Sequence, residues 1–142
     1  MRLLLDTHAF LWYISADAKL PAVHLAAIRD ATNEVYLSAA SVWEAVIKHG
    51  LGKLPLPSSP AEYLTRQRAA HGIAALPIDE AAMAQLATLP PLHRDPFDRI
   101  LIAQALQGSL TIVTIDPVIL AYSVPTLPIT AFTPSPGPTS TS

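Results

Sequence analysis

Short apolar runs recur along this chain, and a segment of helical spacing follows each one. RLLL at 2–5, VYL at 35–37 and LTIVT at 110–114 are too short for helices, and the residues in them are rich in branched side chains. Such runs read as strands buried on both faces. Ile73 to Pro77 adds another short strand, and residues 127–132 suggest a last edge strand. Between them lie helical segments: His8 to Ile14, a helix opened by Leu20-Pro21 and ending at Arg29-Asp30, Ala61 to Ala70, and Asp79 through Leu86. Asp95-Pro96 opens a further helix that continues to Gly108, since an acid followed by proline suits the cap and first helical position. Ser41 followed by Glu44 has capping-box spacing, which predicts a helix from Ser41 to about His49. Strand and helix alternate throughout, so the expected class is α/β with a mostly parallel sheet covered on both faces.

The chain has 142 residues, enough for one domain with its own core. It has no cysteine, which excludes disulfides, thiolate zinc sites and thiol nucleophiles. Asp6 breaks the first apolar run too early for a signal peptide, and no run is long enough for a membrane helix. A soluble cytoplasmic protein is therefore expected. The net charge of −2 argues against a large phosphate-binding surface. Six basic residues fall between Lys48 and Arg99 (Lys48, Lys53, Arg66, Arg68, Arg94, Arg99), either as one patch or scattered. The glycines form no phosphate-cradling loop. The last ten residues, TPSPGPTSTS, hold nothing that builds a core and are expected to be a disordered tail after a domain spanning 1–132.

The chemistry is carried by acids at element ends. Asp6 follows the first strand and Asp116 lies just past LTIVT. Ligand sites in parallel sheets gather outside the carboxyl ends of the strands, so these two can converge. Glu44 and Asp98 each begin a helix, and Asp95 stands three residues before Asp98. Carboxylates brought together repel, and a hard divalent cation is their natural partner. Each acid also has a local reading: Asp6, Asp95 and Asp116 as caps or turn acids, Glu44 as a capping-box residue. Lys48, one turn after Glu44, suits either an ion pair with it or a substrate phosphate. Arg99 suits a phosphate contact or a structural bond. His93 and the other scattered histidines lack metal-like spacing, and Trp12 and Trp43 suit core or interface anchors better than base-stacking platforms.

The segments LLLDTHAFLW, LSAASVWEAVIKHGLGKL, HRDPFDRILIAQA and TIVTID resemble the blocks of PIN-domain proteins, in order and across nearly all of 2–132. They resemble most the toxin half of VapBC-type toxin–antitoxin modules. The resemblance implies a three-layer PIN fold and a Mg²⁺- or Mn²⁺-dependent endoribonuclease that leaves a 5′-phosphate and a 3′-hydroxyl. It assigns Asp6, Glu44, Asp98 and Asp116 to the metal site, with Asp95, Thr7 and Thr114 as secondary candidates. RNA, a cognate antitoxin and a second copy of the chain are the implied partners. An antitoxin- or RNA-binding module with little catalysis, and a structure-specific DNA nuclease, are the competing expectations.

Overall fold

In a computed structural model, which describes residues 1–130, the short apolar runs assemble into one parallel sheet. The strands are β1 (Arg2–Leu5), β2 (Glu34–Ser38), β3 (Ala74–Leu76) and β4 (Thr111–Val113), in the order β3-β2-β1-β4. Leu3, Leu4 and Leu5 pair with Val35, Tyr36 and Leu37 on one side and with Thr111, Ile112 and Val113 on the other. The expected parallel sheet is therefore present, and all four strands run the same way.

Side chains alternate across a strand, and the core divides accordingly. Leu3, Leu5, Val35, Leu37 and Val113 face one layer. That layer draws on α1 (Thr7–Ile14), α2 (Ala22–Arg29), α3 (Ala39–Gly50) and α4 (Pro60–Ala70). Leu4 and Ile112 face the other layer, formed by α5 (Glu80–Thr88), α6 (Pro96–Gly108) and α7 (Pro117–Leu120). The inner strand β1 and its neighbour β4 are covered on both faces, which is why those runs contain so few polar residues, whereas the edge strand β3 is largely exposed.

Two expectations change. The helix α3 starts earlier than the serine spacing suggests. Ser38 is its cap, accepting from the Ala40 N–H at 3.0 Å, while Ser41 lies buried inside the first turn. Ser38 wins because its hydroxyl also donates to Gln104 Oε1 on α6 at 2.6 Å, a tertiary bond that no local pattern announces. Glu44 therefore sits in the second turn and is no capping-box residue. The edge strand expected at 127–132 reduces to an isolated bridge of Thr126 to Ile112. Residues 131–132 and the expected tail at 133–142 lie outside the described residues.

Downstream of that bridge, His24 holds the chain. It is fully buried in α2, and its Nε2 lies 3.1 Å from the Pro128 carbonyl. No helix among the described residues is long and apolar enough to cross a membrane.

Candidate active site

All four strands end on the same side of the sheet. Neighbours β1 and β4 are where the strand order reverses, since β2 and β3 extend from β1 in the other direction. Such a reversal opens a crevice at the carboxyl ends. Asp6 leaves β1 there, with its N–H still donating to the Val113 carbonyl of β4 at 3.1 Å. Asp116 follows β4 as the cap of α7.

A cavity of about 90 Å³ lies between them, lined by Asp6, Thr7, His8, Glu44, Lys48, Asp95, Asp98 and Asp116. The structure thus brings together Asp6, Glu44, Asp98 and Asp116, and adds Asp95. The larger cavities elsewhere are mostly apolar, so volume alone would have pointed away from this crevice.

Each acid is held by the local structure around it. Asp6 caps α1, with Oδ1 accepting from the Ala9 N–H at 2.7 Å, while Oδ2 accepts from the buried hydroxyl of Thr114. The Thr114 oxygen in turn accepts from the Asp116 N–H at 3.0 Å, so one hydroxyl spaces both acids. Asp116 Oδ1 accepts from the Val118 N–H at 2.9 Å. Asp95 caps α6 through the N–H groups of Phe97 and Asp98. Glu44 is buried yet doubly held. The Thr7 hydroxyl lies 2.7 Å from its Oε1, and Lys48 Nζ lies 2.7 Å from its Oε2. Thr7 has a single proton, which goes to the carboxylate, leaving the Ser41 hydroxyl at 3.0 Å to donate to Thr7. The capping readings of Asp6, Asp95 and Asp116 are compatible with a place in the crevice. One carboxylate oxygen caps a helix, while Oδ2 of Asp95 and of Asp116 accepts no hydrogen bond among the described residues.

The charges are poorly compensated. Burial pushes the Asp98 carboxyl up to about 6, Asp95, Asp116 and Glu44 push it the same way, and the His93 bond opposes them. Burial also raises Asp6, against the bonds from Thr114 and Ala9. Lys48 is raised by its bond to Glu44 and by Asp95 and Asp98, so it faces the whole cluster.

One residue departs from expectation. His93 is bonded through Nε2 to Asp98 Oδ2 at 3.0 Å, and His93, Asp95 and Asp98 can point ligand atoms at one another within 4.8 Å. The spacing of His93 from Asp98 carried no signal, because a loop rather than a helix turn brings it round. Of the two readings of Arg99, phosphate contact or structural bond, the structure matches the second: its guanidinium donates to the Pro90 carbonyl at 2.9 Å and the Tyr122 hydroxyl at 3.1 Å. It fastens the loop before α6 and does not line the crevice. The basic residues are likewise divided. Lys48 faces the acids, whereas Arg68 donates to the Ile73 carbonyl at 2.7 Å.

A parallel sheet with a carboxylate crevice at its switch point defines a class of acid-site α/β proteins. Residues 3–124 match the family described as PIN domain, and the chain belongs to that family. Ribonuclease VapC16 of Mycobacterium tuberculosis (strain ATCC 25618 / H37Rv) is 41% identical over 59 residues, a match spanning 42% of each chain. Less than half the length of that relative is thus aligned. The fold is similar to that of VapBC2 from Rickettsia felis bound to a promoter DNA fragment, with a TM-score of 0.63, 15% identity, and 89% of this chain matched to 98% of that one. VapBC-1 from nontypeable Haemophilus influenzae gives a TM-score of 0.63 at 13% identity, covering 91% and 98% of the two chains. FitAcB from Neisseria gonorrhoeae gives 0.56 at 23% identity, covering 89% and 97%. At these identities the likeness concerns the fold alone.

Proposed function

We propose that this chain is a divalent-metal-dependent endoribonuclease acting in the cytoplasm as the toxin of a toxin–antitoxin pair. The observation that carries it is the convergence of Asp6, Glu44, Asp95, Asp98 and Asp116 on one small crevice of a PIN domain. The partial match to a relative named a ribonuclease supports the same reading.

The donor set suits Mg²⁺ or Mn²⁺. It is built of hard oxygen donors, and the cavity of about 90 Å³ has room for roughly three waters' volume beside the acids. Burial first, and the neighbouring carboxylates after it, raise the Asp98 carboxyl, and a bound cation would lower it. Asp6, Asp98, Asp116 and Glu44 would hold the ion, with Asp95 beside them. The chemistry a bound ion supplies is polarisation of the phosphodiester and activation of a water.

The chain's own residues do the positioning. Thr114 fixes Asp6 against Asp116, and Thr7 and Lys48 fix Glu44. An ammonium has three donors, and Lys48 commits one to Glu44, so two are left for a substrate phosphate. Partner binding is supported by a second feature. A mostly apolar groove of about 510 Å³ runs along α3, lined by Leu37, Val42, Trp43, Val46 and Leu76 among others. Trp43, Val46 and Ile47 are exposed beside it, which suits an amphipathic antitoxin segment or a second copy.

Cleavage of a mixed RNA pool by purified protein, with Mg²⁺ or Mn²⁺ against EDTA, tests the enzyme. Metal-dependent cutting that Asp6→Asn abolishes is expected. Cutting that survives EDTA, or cutting of DNA in place of RNA, overturns the proposal.

A further inference from the structure

A second groove, of about 300 Å³, opens directly onto the acid crevice and shares Asp6, His8 and Asp116 with it. Its remaining walls are Trp12, Ile115 and Pro117, three apolar surfaces beside a strongly acidic centre. Trp12 lies one helical turn beyond His8 on α1, so both present to the same side. Their rings are 5.6 Å apart and tilted by 33°. His8 is exposed and Trp12 half-buried, so an aromatic surface reaches the solvent one step from the carboxylates.

We infer that this groove receives the base of the nucleotide next to the scissile phosphodiester, stacked on Trp12 with His8 at its edge. The inference rests on the ribonuclease reading above and adds to it a base-positioning residue. Three observations favour a nucleobase over another occupant. The groove is continuous with the place where the phosphate must lie. Its volume of about 300 Å³ exceeds that of one base and is well below the 510 Å³ of the groove along α3. A flat π-face beside a chain-tracking charged site is how single-stranded nucleic acid is held without strict sequence choice. The inner side of Trp12 packs on the core, so the ring is a fixed platform and not a swinging side chain. From sequence a base-stacking role for Trp12 ranks behind a core or interface anchor, because an aromatic at that position of an amphipathic helix reads first as core.

The test is binding and cleavage of a short single-stranded RNA by wild type, Trp12→Phe and Trp12→Ala, with a series of the same RNA carrying one abasic position. Binding is measured in EDTA, so it does not depend on turnover. A loss on the order of tenfold is expected for Trp12→Ala, with Trp12→Phe close to wild type. In wild type, removal of one base beside the cleaved bond should weaken binding by a similar factor. The same removal should cost Trp12→Ala little more. The abasic series on wild type stands by itself should Trp12→Ala fail to fold. Binding and cleavage that tolerate every single abasic position overturn the base site while leaving the ribonuclease intact. A wild type that neither binds nor cuts any RNA overturns both.

Discussion

Thr114, just past the last strand, donates its hydroxyl proton to Asp6, just past the first, and both groups are buried. The same oxygen receives the Asp116 N–H, so removing it disturbs two acids at once. Thr114→Val keeps the shape and deletes the bond. It should lower kcat about 10- to 100-fold, as loss of a supporting contact at a metal site does. It should also destabilise the fold by about 1–3 kcal/mol, the cost of an unsatisfied buried group. Steady-state kinetics and denaturant melts check both, and unchanged kcat would remove Thr114 from the site.

Asp98 is an acid whose environment opposes its charge. Its folded pKa, about 6, lies above the ordinary 3.8. The folded protein therefore holds a proton that the unfolded chain has already released, and the stability this gives is present at low pH and lost as pH rises through 6. Without metal, Asp98→Asn should be more stable than wild type at pH 7.5, by about 1 kcal/mol, yet inactive. The gap should shrink by more than half at pH 4.5 and vanish only below the unfolded value of 3.8. Melting temperatures in EDTA at the two pH values decide it, and a gap that stays constant refutes the assignment.

Arg99 should matter for stability and little for turnover. Its guanidinium fastens the Leu89–His93 loop to α6 and to Tyr122. Arg99→Met should cost about 1–3 kcal/mol in unfolding free energy through the carbonyls it abandons. KM for RNA should stay within about twofold of wild type, well below the ~1.4 kcal/mol that a tenfold change represents. A large rise in KM with an unaltered melt would restore the phosphate-contact role.

Val46 tests the partner surface separately from the chemistry. It is 41% exposed on the groove side of α3. Val46→Asp should leave RNA cleavage unchanged and weaken antitoxin or self-association at least tenfold, since an unpaired charge would be buried there. Calorimetry or sedimentation reads the association. Full binding by the variant would place the partner elsewhere.

Much of this was legible before any coordinates. The strand at Arg2–Leu5 and the cap at Asp95 declare themselves locally, through apolar runs and acid–proline spacing. The converging acids were legible because parallel strands share one carboxyl end. What stayed hidden was tertiary. Ser38 displaced Ser41 as a cap through a bond to Gln104, 66 residues away. His93 met Asp98 by way of a loop. Arg99 found carbonyls that no pattern within α6 reveals. Single-residue readings of Asp6 were balanced between cap and ligand for a physical reason: its two oxygens serve different masters.

The bond from Thr114 to Asp6 joins residues 108 positions apart. Asp6, Thr7 and His8 of the crevice are therefore made well before Asp95, Asp98 and Asp116. While the ribosome is still translating the chain, β1 has no β4 beside it, and Asp6 faces no Asp116. As the proposed ribonuclease, a nascent chain emerging among messenger and transfer RNAs would thereby be disarmed by topology. It would become competent only after β4 has been delivered.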